Sequence, residues 1–206
     1  IARKAASELG FIYVDTGALY RTVGLKFSRM GANTELNCDI DGILADTTVD
    51  IRFVDGEQKV FLDGEDVSLE IRKNEVSMMA SNISSLSIVR KKMVEMQRAV
   101  ASKQNCVLDG RDICMYVLPN AKYKFFMTAS AEVRATRRYK ELIARGQEVD
   151  YNMLLEEINQ RDYNDSHRAH APLAIAPDAE VIDTSNMTID EVVNHIINKV
   201  VSGEKE

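Results

Sequence analysis

Residues 11–21 read FIYVDTGALYR, and residues 105–112 read NCVLDGRD. Each is a short apolar run that ends in a polar cluster. The run at 11–15 is too short for a helix and reads as a buried strand, and Thr16-Gly17 then opens a helix to about Met30, closed by Gly31. The run at 105–109 reads as a second buried strand, ending in Gly110-Arg111-Asp112. A third strand end, Asp183-Thr184, closes the run EVIDT at 180–184. Short apolar strands alternating with helices predict a parallel sheet covered by helices on both faces, an α/β fold. In such sheets ligands bind beyond the carboxyl ends of the strands, so the first two clusters are predicted to face one crevice.

The rest of the chain fits that rhythm with one interruption. Residues 1–9 show one apolar face at helical spacing and stop at Gly10. No Ser, Thr, Asp or Asn precedes Ile1, which predicts an element that begins upstream of it. A short helix is expected around 38–47. VDIRFV, the turn DGEQ and KVFLDGED then alternate at period two, a β-hairpin with Asp55-Gly56 in its turn. This hairpin marks an inserted lobe, about 39–85, within a single domain spanning 1–206. Helices follow at 70–84 and 87–103, a strand at 122–128, a basic helix capped by Ser130, and a helix from about 150 to 165. Thr188 with Glu191 three residues later is a capping box for the terminal helix.

Composition narrows the class. The 206 residues are 45% hydrophobic and 28% charged, with a formal net charge of -6, so disorder and a general nucleic-acid or membrane surface are not expected. No uninterrupted run of 18 apolar residues is present to span a bilayer. Cys38, Cys106 and Cys114 have no metal or disulfide spacing and read as free thiols of a cytoplasmic protein. His167 and His170 read as loop histidines, and no metal site is expected.

Three clusters can carry chemistry. Asp15-Thr16-Gly17 opens a helix, where N–H groups favour an anion, and Tyr20 and Arg21 lie one turn on along the same side. A capping side chain with a surface arginine also accounts for that pattern. Arg111 beside Asp112 suits a ligand at a strand end, although a structural ion pair fits as well. Arg161, Asp165 and Arg168 fall at i, i+4 and i+7 on one helical face and can clamp a phosphate and a sugar hydroxyl. Upstream, Arg134, Arg137, Arg138, Lys140 and Arg145 form a basic strip in an acidic chain, which points to a polyanionic small ligand.

VDTGALYR, LDGEDVSLEIR, NEVSMMASNISSLSIVR, LDGRDI and RDYNDSHRAHAPL, in that order, resemble the bacterial cytidylate kinases over essentially the whole chain. The resemblance implies a P-loop nucleoside monophosphate kinase that moves the ATP γ-phosphoryl group to CMP or dCMP, with Mg²⁺, as a monomer. It implies that Thr16, Arg21 and Arg111 hold the acceptor phosphate, with Arg168 close to the transferred group. It assigns Ser81, Arg90 and Asp112 to the cytosine edge, and Tyr20, Arg161 and Asp165 to the ribose. Arg137 and Arg138 fall in the lid, about 134–168, facing the ATP phosphates. Arg111, Arg137, Arg161 and Arg168 are the catalytic set it implies. Cytosine offers an exocyclic amine donor beside N3 and O2 acceptors, which a carboxylate and an arginine match.

Two departures stand against the family pattern. No G-x-x-x-x-G-K-[ST] run occurs in these 206 residues, and the family places it just before the position of Ile1. Cys114-Met115 replaces the Gly-Thr usual after GRDI, which predicts crowding or a shifted loop. Two other readings remain at this level: another P-loop kinase, for UMP, AMP or a small metabolite, and a non-catalytic nucleotide-binding protein.

Overall fold

The structure is a computed structural model that describes residues 1–32, 39–54, 57–167 and 171–203. Its contacts divide the chain into two compact units, residues 14–110 and residues 1–13 with 111–206.

The first unit is built around helix α2 (Thr16–Arg29). Apolar residues and small polar ones cover most of its surface, and Ala18, Leu19, Thr22, Val23, Leu25 and Phe27 are all buried. The buried Thr22 hydroxyl donates to the Ala18 carbonyl at 2.9 Å, so the helix satisfies it locally. Helix α3 (Ile40–Ala45) is shorter than the sequence suggests, because the Asp39 side chain caps it through Gly42 N–H at 2.9 Å. The inserted lobe contributes β2 (Val49–Val54), β3 (Glu57–Leu62) and β4 (Glu65–Asp66), a three-stranded antiparallel sheet.

The lobe corrects one reading. KVFLDGED is not one strand, because Asp63 and Gly64 both adopt positive φ, 51° and 89°, and turn the chain back on itself. Asp-Gly at the two central positions is the sequence a tight hairpin turn of this kind needs. Asp63 also accepts from Thr48 N–H at 2.8 Å and pairs with Lys26 at 2.7 Å, tying the turn to α2. The first hairpin turn, Asp55-Gly56, lies outside the described residues, as does Cys38.

Val60, Leu62, Val67, Ile71 and Val76 pack on Ala18 and Leu25 to make this unit's core. The helix expected over 70–84 breaks at the extended Lys73, leaving a 3₁₀ turn Glu70–Arg72 and then α4 (Asn74–Ser84). Helix α5 (Ser87–Ala101) follows, burying Val89, Arg90, Met93 and Gln97. The closest helix contact in the unit joins α2 and α4. A Cβ placed on Gly24 would sit 2.9 Å from the backbone nitrogen of Ala80. Glycine is therefore required there by space, not by backbone angle.

The carboxyl end of β1 (Ile12–Asp15) lies in this unit beside its sheet partner β5 (Cys106–Asp109). Both strands were expected to be buried, yet only Val14 is, and β5 is half-buried along its length. Among the described residues this sheet has the two strands β1 and β5.

In the second unit α1 (Ala2–Leu9) ends at Gly10, whose φ of 68° lets Phe11 N–H reach back to Ala6 at 2.8 Å. Strands β6 (Phe125–Thr128) and β7 (Glu180–Asp183) pair in parallel, Phe125 opposite Glu180. Strand β6 starts three residues later than the run KYKFFMT suggests. Lys124 is buried there, bonded to Pro119 and Asp178. Helices α6 (Ala131–Ala144) and α7 (Tyr151–His167) run between the strands, α6 capped by Ser130 as expected. Helix α8 (Ile189–Gly203) opens with the expected capping box, Glu191 accepting from Thr188 N–H at 2.7 Å and Thr188 Oγ1 accepting from Glu191 N–H at 3.3 Å. Ala5, Ile182, Val192, Val193 and Ile196 form this unit's core. Among the described residues no helix is long and apolar enough to cross a membrane.

Gly24→Ala is expected to lower the thermal unfolding midpoint. The added methyl meets backbone, which costs about 1–3 kcal/mol, while helix propensity returns only about 1 kcal/mol. A midpoint equal to or above that of the parent would show that α2 and α4 separate without cost.

Candidate active site

The acceptor residues expected from the sequence fall into clusters, two of them held by an aspartate. Asp15 is the N-cap of α2, its Oδ1 accepting from Ala18 N–H at 2.8 Å. Its Oδ2 pairs with Arg21 at 3.2 Å. The same-side reading of Gly17 and Arg21 holds, since a Cβ on Gly17 would lie 3.1 Å from Arg21 Nη1. Thr16 is buried, and its hydroxyl donates to the Asp109 carbonyl at 2.6 Å, joining the first turn of α2 to the end of β5. Thr16 therefore presents lone pairs rather than its proton to anything else nearby. Tyr20 is half-buried on α2.

Ser81 is exposed on α4, and Arg90 is buried on α5. Arg90 donates to the Ser84 carbonyl at 3.3 Å, across the junction between α4 and α5. A buried guanidinium is costly unless bonded, so a fixed position is the physical expectation for Arg90.

In the second unit Arg111 and Arg161 flank Asp165. Arg111 Nε lies 3.0 Å from Asp165 Oδ2, and Arg161 Nε lies 3.9 Å from the same oxygen. Asp165 is 17% exposed at the side chain, whereas Arg161 is 71% exposed. The i, i+4 reading of Arg161 and Asp165 is thus realised on α7. Arg168 lies outside the described residues. Asp112 is half-buried and leads into a π-turn over Ile113–Val117 that the sequence did not suggest.

Cys114 sits in that turn. Among the described residues only Asp63 and Ala171 have positive φ without being glycine, so Cys114 occupies backbone that a side chain tolerates. Burial pushes its thiol pKa up.

The four arginines of the basic strip have partners within the fold. Arg134 forms a two-point pair with Asp162, joining α6 to α7. Arg137 donates to Thr184 Oγ1 at 3.2 Å and to the Thr184 carbonyl at 2.5 Å. Arg138 and Arg145 both pair with Glu141, and the Arg138 bond is the main cause holding that carboxyl below its usual range. Asp162 and Glu141 offset part of the strip's charge, and Arg137 is held by the neutral hydroxyl and carbonyl of Thr184. Asp162 is a residue that sequence reading left without a role, while Asp15 takes the capping role that the sequence offered beside Arg21. His167 ends α7, stacked on Tyr163 with ring centroids 4.0 Å apart, instead of lying in a loop. His170 lies outside the described residues. Among the described residues, no group of three or more His, Cys, Asp or Glu could hold a metal.

Within each unit an aspartate orients arginine, Asp15 with Arg21 in one and Asp165 with Arg111 and Arg161 in the other, equipment suited to anionic substrates. The cytidylate kinase family profile matches residues 1–202. A cytidylate kinase of Caldicellulosiruptor bescii is 48% identical over 99% of this chain and 92% of its own length. One of Desulforamulus reducens is 48% identical over 99% of the chain and 91% of its own length. One of Pediococcus pentosaceus is 44% identical over 100% of the chain and 91% of its own length. The chain belongs to the cytidylate kinase family.

Thr16→Val is expected to lower stability by about 1 kcal/mol, the net worth of one hydrogen bond, while Thr16→Ser retains most of it. Urea unfolding of both variants checks this. Equal midpoints for Val and parent would mean the Thr16–Asp109 bond contributes nothing.

Proposed function

We propose that this chain transfers the ATP γ-phosphoryl group to CMP or dCMP, giving CDP or dCDP. The observation that carries the reading is the family match over residues 1–202, with relatives named cytidylate kinase at 44–48% identity. Arg111, Arg161 and Asp165 support it as a cluster with both charge signs, suited to a substrate with a phosphate and a sugar hydroxyl.

In this reading Arg21 and Arg111 bind the acceptor phosphate, Thr16 joins them by turning its hydroxyl proton from the Asp109 carbonyl to the phosphate, and Arg168 lies near the transferred group. Tyr20, Arg161 and Asp165 hold the ribose. Ser81, Arg90 and Asp112 read cytosine, Asp112 accepting from the exocyclic amine. Uracil sets an O4 acceptor against the same carboxylate, and the site is left with an unpaired buried group. Residues 134–168 form a lid, and its Arg137 and Arg138 meet the ATP phosphates. Each of those arginines must then exchange a present partner, Thr184 or Glu141, for the donor nucleotide. Mg²⁺ accompanies the ATP phosphates and supplies charge neutralisation there. Phosphoryl transfer requires little covalent help from side chains, so the arginines work by placing the acceptor and stabilising charge. We further read the protein as a cytoplasmic monomer, a location its unspaced cysteines support.

Two measurements test the assignment. kcat/KM for CMP should exceed that for UMP by at least about a hundredfold, the scale on which sites that pair a substrate amine discriminate. Equal values would falsify the cytosine reading. Arg111→Ala should lower activity at least about tenfold, because a charge-assisted pair contributes roughly 1.5–3 kcal/mol. A folded Arg111→Ala protein with parental kinetics would make the strand-end arginine structural.

A further inference from the structure

The acceptor assignment leaves Asp15 without a task, yet its carboxylate holds two groups at once. Oδ1 accepts from Ala18 N–H at 2.8 Å, and Oδ2 pairs with Arg21 Nη2 at 3.2 Å. Gly17 makes this possible. A Cβ there would stand 3.1 Å from both Asp15 Oδ1 and Arg21 Nη1, in the space over which carboxylate and guanidinium close. Oδ2 engages one nitrogen of a fork that carries five donors, so a single oxygen cannot satisfy Arg21. A second anion can still approach it.

We propose that Asp15 is the positioning residue for Arg21, starting α2 with one oxygen and orienting the phosphate-binding guanidinium with the other. Asp15 acts through Arg21 and does not touch substrate. The inference rests on the assignment of Arg21 to the acceptor phosphate. A free arginine side chain loses much rotamer freedom when it binds, and an arginine already held over the helix loses less. The carboxylate also repels phosphate. Both side chains are about 30% exposed, 28% for Arg21 and 31% for Asp15, so water screens that repulsion and orientation dominates.

Asp15→Asn separates the two tasks. Asparagine caps a helix as well as aspartate, so the unfolding midpoint should hold, while the charge pair with Arg21 is lost. Calorimetry should show the Kd for CMP rising roughly three- to fivefold, the reach of a partly exposed ion pair. Cytidine, which has no phosphate, should bind as to the parent. On an Arg21→Ala background, Asp15→Asn should add no further loss. Gly17→Ala, which keeps both side chains but crowds Nη1, should weaken CMP in the same direction and guards against a damaged cap. Unchanged or tighter CMP binding in Asp15→Asn overturns the proposal, as does an equal loss for cytidine or on the Arg21→Ala background. Unchanged CMP binding in Gly17→Ala also overturns it. If Arg21→Ala alone leaves CMP affinity intact, the acceptor assignment fails first, and the inference falls with it.

Discussion

The backbone approach of α2 to α4 at Gly24 and Ala80 is the constraint on which the first unit depends. With a glycine at the crossing the two helices come close enough that a Cβ would meet a backbone nitrogen at 2.9 Å. Three consequences follow from that closeness. Ala18 and Leu25 on α2 and Val76 on α4 share one core with the strands of the inserted lobe. Ser81, the residue after Ala80, is carried on the same helix as the contact. Thr16, Tyr20 and Arg21 are carried on the other. A methyl group at position 24 would thus change the spacing between elements that bear acceptor residues, not merely fill space.

A second layer of control is electrostatic and local. Asp15 caps α2 and holds Arg21, and Thr16 ties the first turn to Asp109. The start of α2 is therefore fixed from three directions before any ligand arrives. In the other unit Arg134 with Asp162 fixes α7 against α6, and Asp165, three residues on, receives Arg111. The same helix that is docked by one ion pair presents the next carboxylate to the strand-end arginine.

Much of this was legible in the sequence. The terse strand-then-helix patterns around 11–30 and 180–203 carried their own signals, a cap, a glycine stop and a capping box, and each formed where those signals lie. Local chemistry dictates such features, so a linear reading reaches them. The second turn of the lobe was missed because DG inside an alternating run looks like strand until both residues take positive φ. The break at Lys73 and the late start of β6 depend on tertiary partners, in the latter case a buried Lys124 bound to Asp178, and no period in the sequence encodes those. The partners of the basic strip were illegible for a related reason. Asp162 and Thr184 are 28 and 47 residues from the arginines they meet. Net charge along a window cannot register a partner outside it.

Such internal pairing has a mechanistic consequence. A guanidinium left alone would search many rotamers and repel its neighbours, and the cost of ordering it would fall on ligand binding. Pairing an arginine with a carboxylate removes the search but also reduces the field offered to a phosphate. The balance depends on how many donors the carboxylate takes. Asp165 Oδ2 lies 3.0 Å from Arg111 Nε and 3.9 Å from Arg161 Nε, so one carboxylate stands between two guanidiniums. A shared carboxylate orients both arginines while its single negative charge balances only one of them. Two-point pairing of the kind seen between Arg134 and Asp162 sets one charge against one and occupies both terminal nitrogens, the pair best shaped for two parallel bonds to a phosphate. It is found where the task is to join helices. The ratio of carboxylates to arginines, more than the presence of a contact, separates arginines that brace the fold from arginines suited to an anion.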